Sequence, residues 1–429
     1  MSRLVTDQAD VLRDLAALVV PDVGRLAETG DLWEPYRLLD ANGAVVEPVA
    51  AFLAELQARD RSASTLRSYG NDLLLWWRWL GAVGVAWDRA TRAEARDFAR
   101  WMQVADKPAR VHWRYRDGQV AVSPAGPGRP SPAVVNPVTG KARPGAKYSA
   151  RTRGHVETVL RSFYEFHLEC GRGPIINPFS LDRSRRASRA NAHHNPMEPF
   201  RAERTGRYRP RIPRRAPRRI PDERFNELFD VLKYNRDRAL LAFWVSSGAR
   251  AEELLGACQG DADPGEQLIA VTRKGSRAVQ RIPVSPDAFV WLRLYQEEIW
   301  RLGAPRGRTE PLWFTLRRPW RPLSYHAARA MFVRANALLG SDWTLHDLRH
   351  TAAWRMAQDP EMPITDVQWI LAHAHLSTTQ LYTAPGQDEV IARALAHHER
   401  RRREPAPGAA PPVPGYNPAS LDILFGRRP

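Results

Sequence analysis

Cysteine is almost absent from this chain, which has only Cys170 and Cys258 among its 429 residues. One possible pair excludes the disulfide framework that holds small secreted proteins together, and it fits a reducing compartment. The first residues also lack an uninterrupted apolar run, because Asp10 and Asp14 interrupt them at helical spacing. We therefore predict no signal peptide, no membrane span and a cytoplasmic location.

Motifs for nucleotide hydrolysis and for metal-dependent hydrolysis are missing as well. The sequence contains no phosphate loop of the form GxxxxGK[ST], and no acidic cluster suggests a two-metal site. His346 and His350 stand four apart and could share a metal ion on one helical face. No cysteine accompanies them and no HExxH motif occurs, so we expect neither a metal ion nor a cofactor.

Acidic residues are outnumbered by basic ones. Lysine and arginine total 64 against 47 aspartates and glutamates, which gives a net charge of +17. A charge of this sign favours a polyanionic partner, most simply nucleic acid. An arginine-rich composition set by a GC-rich genome would produce the same charge, so charge alone leaves both explanations open.

Composition and periodicity divide the chain into five parts. Helical spacing of apolar residues dominates two of them, one of which is interrupted by a Pro/Gly-rich insertion. An Arg-rich linker joins these two parts, and it could be a solvated connector or could follow a phosphate backbone. The expected boundaries are 1–44 for a partly helical N-terminal segment, 45–181 for a helical domain with the insertion at 103–147, 182–219 for an Arg-rich linker, 220–403 for a second domain, and 404–429 for a Pro-rich tail.

Local signals place the ends of several elements. Ser62 or Ser64 can cap a helix that carries Leu73 and Trp77, and Thr91 can cap the next helix. The stretch EQLIAVTRKGSRAVQRIPV alternates in two short runs around a Gly-Ser pair. This pattern predicts a β-hairpin with Lys274 at its turn.

Four short stretches carry residues with chemical potential: SSGARAEELL, TRKGS, LHDLRH and LAHAHLSTTQLYTA. Each candidate also has an ordinary structural explanation. Arg250 could pair with Glu253, His346 could satisfy a helix N-terminus, and Tyr382 could be a core residue of a helix that buries Leu376 and Leu381. The candidate residues are Arg250, Lys274, His346, Arg349, His373 and Tyr382.

In this order the four stretches resemble the tyrosine recombinase, or phage integrase, family. The resemblance covers about 220–400 in detail and extends loosely to the helical domain, which is similar to the family's core-binding domain. The last stretch matches the family pattern LGHSSISTTQIYTH in register. Departures are Ala249 for Leu, Ala251-Glu252 for Ile-Ser, and Ala372 for Gly. The resemblance implies a mainly α fold with a small β-sheet, in which two domains clamp DNA.

The family's mechanism, carried over to these residues, implies DNA strand cleavage and rejoining. Arg250 and Arg349 would clamp the phosphate, while His346 would accept or orient a proton. Lys274 would act as general acid, His373 would donate to the phosphate, and Tyr382 would form a 3′-phosphotyrosyl ester. The alternatives are a type IB-like topoisomerase and an inactive DNA-binding protein of the same fold.

The resemblance also implies partners. These are double-stranded DNA with specific recombination sites, a tetramer of this chain on DNA, and optionally an accessory directionality factor. The chain would then be nucleoid-associated and act in integration, excision or transposition of a mobile element. Val390, Ile391 and Leu395 lie on one face of a helix that would pack on a neighbouring subunit or on its own. The target sequence is not readable from the chain.

Overall fold

The computed structural model describes residues 13–108, 135–142, 145–182, 205–212, 217–383, 387–403 and 418–426. The chain divides into two compact units. Unit 1 comprises 1–135 and 142–214, and unit 2 comprises 136–141 and 215–429. Most described residues are helical and the sheets are small, which confirms the predicted fold class. Most of the predicted insertion and linker, namely 109–134, 143–144, 183–204 and 213–216, lies outside the described residues.

A β-hairpin is the first regular structure among the described residues of unit 1. Strand β1, Arg25–Glu28, pairs antiparallel with strand β2, Tyr36–Leu39. Gly30 adopts a φ of 80° in the turn, and the Thr29 amide donates to the Pro35 carbonyl at 3.2 Å. The prediction of a partly helical N-terminal segment is therefore wrong for described residues 13–44, because these turn residues stop a helix and Leu38 is buried from a strand instead.

The described part of unit 1 contains four long helices, and two of them begin at predicted caps. The Ser62 side chain accepts from the Thr65 amide, and Thr91 forms a capping box with Glu94. The core centres on Trp76 and Trp79, whose rings stack at 5.3 Å, whereas Trp77 is only partly buried. The helices are α1 Glu47–Ala58, α2 Ala63–Val83, α3 Arg92–Val104 and α4 Ala150–Glu169.

Unit 2 packs helices around a three-stranded antiparallel sheet in the order β3–β4–β5. Strand β4 pairs with β5 in a register that places Ile269 opposite Ile282, and Lys274 lies in the connection between these strands. The predicted hairpin is thus confirmed. The strands are β3 Ala262–Asp263, β4 Leu268–Thr272 and β5 Val279–Pro283.

The helices of unit 2 bury one apolar core, in which Phe243 contacts Trp313 edge to face at 5.6 Å. No helix in the described part of the chain is long and apolar enough to cross a membrane. The helices are α5 Asp222–Asp230, α6 Asn235–Ser247, α7 Ala251–Leu255, α8 Pro286–Arg301, α9 Tyr325–Leu338, α10 Leu345–Gln358, α11 Ile364–Leu371, α12 Leu376–Thr379, α13 Gln387–Arg403 and α14 Pro418–Leu424, with a 3₁₀ turn at Gln380–Tyr382.

Candidate active site

Arg250 stands at the N-terminus of α7, directly after the turn that ends α6. Its backbone amide donates to Glu253 at 3.1 Å, and its guanidinium donates to the same carboxylate at 2.7 Å. The chain can reverse direction here because Gly248 ends α6 with a φ of 64°, a left-handed conformation that glycine adopts without strain. The main chain of Arg250 is therefore held by Glu253, while its side chain stays partly exposed.

Glu253 is a buried carboxylate that joins two of the predicted motifs. It accepts from Arg250, from the Arg273 guanidinium at 2.9 Å and from the Lys274 amide at 3.1 Å. Burial alone would raise the pKa of Glu253, but the hydrogen bonds from Arg250 and Lys274 lower it to about 2. The carboxylate thus stays ionised and holds the base of the β4–β5 hairpin against α7.

Lys274 itself points away from this buried pair. Its ammonium contacts the Glu252 carboxylate at 3.1 Å, and its side chain is 57% exposed. Lys274 is therefore held at the site by the hydrogen bond from its main-chain amide to Glu253, while its ammonium pairs with the exposed Glu252.

Arg349 is 3% exposed and projects from α10. That helix begins with a capping box between Thr344 and Asp347, and Asp347 also accepts from Arg218 at 2.6 Å. The Arg349 guanidinium donates to the Gly248 carbonyl at 2.8 Å and to the Leu371 carbonyl at 2.5 Å. Burial, and then the charge of Arg250, lower its pKa to about 10, so it remains a cation near neutral pH.

The C-terminal end of α11 is the meeting point of these side chains. The last carbonyls of a helix have no partner within it. Here Arg349 binds the Leu371 carbonyl, Arg273 binds that of Ile370 at 2.5 Å, and Gln280 binds that of Trp369 at 3.0 Å. Side chains from α10 and from the β4–β5 hairpin thus converge on three consecutive carbonyls just before His373.

His373 follows a left-handed residue, since Ala372 has a φ of 48°. Its Nδ1 lies 2.9 Å from the Thr379 hydroxyl, and its main-chain carbonyl accepts from Gln368 at 3.0 Å. Burial, together with the charges of Arg349 and Arg250, lowers the pKa of His373 to about 4. The ring is therefore neutral at pH 7 in the DNA-free protein.

Tyr382 is 6% exposed and packs with Ala353, Val367 and Leu371. Its hydroxyl lies 2.7 Å from Nδ1 of His350, and its ring is nearly parallel to that of His373, with centroids 6.3 Å apart. Burial raises the pKa of the hydroxyl, and the charge of Arg349 opposes that rise. Tyr382 is thus part of a core and also a neighbour of the charged cluster.

Several details differ from the simple helix that would bury Leu376 and Leu381. Leu381 is 39% exposed, and Tyr382 lies in a 3₁₀ turn rather than in a long helix. His346 meets the cluster through its ring, which crosses that of His350 with centroids 4.3 Å apart. The structure brings Arg349, His373 and Tyr382 together, with Arg250 in electrostatic range of Arg349 and His373.

Two residues of this arrangement were missed by sequence reasoning. His350 was considered only as a metal ligand, and Arg273 was not singled out. The one available signal for His350 was its position next to Arg349. Within the described residues, no group of three or more His, Cys, Asp or Glu side chains could hold a metal ion.

Two family models match the chain. The model described as Phage integrase family matches residues 218–389, and the model described as Phage integrase, N-terminal SAM-like domain matches residues 49–114. Together they cover more than half of the sequence.

Curated relatives are similar over different lengths. Tyrosine recombinase XerC of Chlamydia caviae is 32% identical over 182 residues, which cover 41% of this chain and 56% of that protein. Tyrosine recombinase XerD of Xanthomonas campestris pv. campestris is 24% identical over 370 residues, which cover 82% of this chain and 92% of that protein. The chain thus spans little more than half of the XerC relative.

Solved structures share the fold at low identity. The Tn1549 transposon integrase in complex with transposon right end DNA superposes with a TM-score of 0.51 at 15% identity, covering 83% of this chain and 99% of that one. The lambda integrase dimer bound to a COC′ core site gives a TM-score of 0.50 at 16% identity, covering 79% and 94%. With the family models and the curated relatives, the chain belongs to the tyrosine recombinase, or phage integrase, family.

Proposed function

We propose that this protein is a site-specific DNA recombinase that cleaves and rejoins strands through a covalent bond to Tyr382. The observation that carries the proposal is the Tyr382 hydroxyl beside His350, in a cluster whose charge is dominated by Arg349. A tyrosine that only filled a core would not need a buried guanidinium and neutral histidines around its hydroxyl. Family membership supports the same chemistry.

Arg250 and Arg349 would hold the scissile phosphate. A guanidinium has five N–H donors and keeps its charge, so it can bind phosphate oxygens while still bound to the protein. Arg349 uses two N–H groups for the Gly248 and Leu371 carbonyls. Donors fixed before the reaction stabilise charge as it develops on the phosphate oxygens. His373 would donate a further hydrogen bond, and His346 would orient the cluster through His350.

Tyr382 would attack phosphorus and form the 3′-phosphotyrosyl ester, while the bond to the 5′-oxygen breaks. That oxygen needs a proton, and Lys274 would supply it. Lys274 must first leave Glu252, but an ion pair between exposed side chains is worth only about 0–1 kcal/mol. The ester keeps the energy of the broken strand, so a 5′-hydroxyl from a second strand can reverse the attack without nucleotide hydrolysis.

The partners follow from this chemistry. Strand exchange between two duplexes needs four active sites, so a tetramer on specific double-stranded DNA sites is part of the proposal. Helix α13 supports it, because Val390, Ile391 and Leu395 are 47%, 46% and 63% exposed and would pack on a neighbouring subunit. The proposal also includes a mobile element as the setting and a directionality factor as an optional partner; the Tn1549 transposon integrase is one solved structure with this fold.

The test is covalent capture on nicked suicide duplexes tiled across the DNA that flanks the gene. The wild-type chain should form a denaturation-resistant DNA adduct, and Tyr382→Phe should form none. Absence of a Tyr382-dependent adduct refutes the enzyme and leaves a DNA-binding protein. Relaxation of supercoiled plasmid without Holliday junctions would instead indicate a type IB-like topoisomerase.

A further inference from the structure

A histidine outside the H-x-x-R pair of the family pattern contacts the Tyr382 hydroxyl. His350 Nδ1 lies 2.7 Å from that oxygen, whereas His346 touches the ring of His350. Both histidines lie on α10, four residues apart and therefore on one face of the helix. His350 therefore contacts the reacting oxygen directly, with the ring of His346 packed against its own.

His350 is in the neutral state that a proton acceptor requires. Burial is the largest influence on it and the neighbouring His346 the next, and together they lower its pKa to about 4. The ring is therefore neutral at pH 7. A neutral imidazole with its proton on Nε2 presents a lone pair at Nδ1, and this lone pair can accept a hydrogen bond from the tyrosine hydroxyl.

Substrate entry would strengthen this base. Arg349 and Arg218 are cations that disfavour a second proton on His350, while Asp347 favours it. A phosphodiester carries one negative charge. Bound by Arg349, that charge would offset one of these cations and so raise the pKa of His350. The imidazolium that forms would then lie close to the negatively charged phosphate.

We propose that His350 is a catalytic residue that removes the Tyr382 proton during attack, an inference that rests on the proposed function. The phenolic O–H bond breaks and its proton passes to Nδ1 as the bond from oxygen to phosphorus forms. The bond from phosphorus to the 5′-oxygen breaks, and that oxygen takes a proton from Lys274. In the rejoining step His350 returns the proton to the tyrosine.

The experiment measures single-turnover adduct formation on a nicked duplex. His350→Asn keeps a side-chain group near Nδ1 but cannot carry the proton, and His350→Ala removes it. Loss of a general base lowers the rate by roughly 10²–10⁴-fold, so both variants should fall by about that factor while DNA affinity stays within about threefold. Added imidazole should restore part of the His350→Ala rate. His375→Asn, which changes an exposed neighbouring histidine, is the matched control and should keep the wild-type rate.

A bridging 5′-sulfur separates the two proton transfers. A thiolate leaves without a general acid, so this substrate should rescue Lys274→Ala but not His350→Asn. Rescue of His350→Asn by sulfur, or a rate within about threefold of wild type on the normal substrate, overturns the inference. If wild type forms no Tyr382-dependent adduct, the proposed function itself fails and the inference falls with it.

A measurement on the unsubstituted protein guards against misfolded variants. Nitrogen-15 spectra of labelled histidine should show His350 as the Nε2–H tautomer at pH 7. A proton on Nδ1 would mean that His350 donates to the tyrosine oxygen, and this result contradicts the role of acceptor.

Discussion

Glu253→Gln should destabilise unit 2 because it removes the negative charge between two arginines. The Glu253 side chain is 1% exposed and contacts Arg250 at 2.7 Å and Arg273 at 2.9 Å. Arg273 is itself 3% exposed, so the substitution would leave a buried cation without its counter-ion. Removing one partner of a buried pair costs about 3–5 kcal/mol.

The pKa of Glu253 gives an independent magnitude. Its fall from the ordinary value of 4.5 to about 2 corresponds to about 3–4 kcal/mol, since each pKa unit is worth about 1.4 kcal/mol. A carboxylate whose pKa is lowered by folding contributes this stability above pH 4.5. The contribution is lost as the pH falls from 4.5 towards 2. At pH 4 the difference between wild type and Glu253→Gln should have narrowed by about 1 kcal/mol.

Hydrogen exchange on the full chain measures the loss of stability in unit 2. Peptides covering the β4–β5 hairpin report the free energy of opening for unit 2 at pH 7 and pH 4. Glu252→Gln is the matched control. The Glu252 carboxylate is exposed, and its ion pair with Lys274 should be worth about 0–1 kcal/mol. Equal effects of the two substitutions at pH 7, or a difference that widens at pH 4, would refute the reasoning.

Two backbone predictions concern the turns beside Arg349 and His373. Gly248→Ala should cost about 2–3 kcal/mol, because a left-handed φ costs an L-residue about 1–2 kcal/mol and the new Cβ would lie 2.7 Å from Cδ2 of the buried Leu371. Gly340 has a φ of 61°, and a Cβ added there would meet open space. Hydrogen exchange of Gly340→Ala should therefore show only the cost of the left-handed conformation. If Gly248→Ala and Gly340→Ala destabilise the protein equally, the clash with Leu371 is excluded. Ala372→Gly should stabilise unit 2 by about 0.5 kcal/mol, as relief of the left-handed strain exceeds the added freedom of the unfolded chain. A loss of protection in α11 peptides would contradict this result.

Local patterns were sufficient to predict most of the helices. Thr91 caps α3 as predicted, and alternation around Gly275 correctly predicted the β4–β5 hairpin. Periodicity was less reliable where large residues adjoin. Consecutive tryptophans in α2 left the buried face undefined, and packing against α4 selected Trp76 over Trp77. The hairpin of β1 and β2 escaped prediction because its short strands carry little alternation.

The candidate site, like the fold, could be predicted only in part from the sequence. The motif order identified six residues, and their roles remain predictions. His350 and Arg273 could not be found from spacing, because each acts on a residue far away in the chain. His350 contacts Tyr382, 32 positions later, and Arg273 contacts Ile370, 97 positions later. Such contacts depend on how α10, α11 and the hairpin pack together, and the sequence does not state this packing directly.

The end of α11 explains how four separated motifs can act as one site. Its last carbonyls need donors, and Arg273 and Arg349 supply them from two different motifs. Cations are also favoured at a helix C-terminus by the helix dipole. Glu253 then joins Arg273 to Arg250, so the helix end is linked to the first motif through one buried carboxylate. His373 and Tyr382 follow directly from this fixed helix end. A change at Glu253 should therefore disturb Arg250, the Lys274 hairpin and the His373 segment together, although it contacts only the first two.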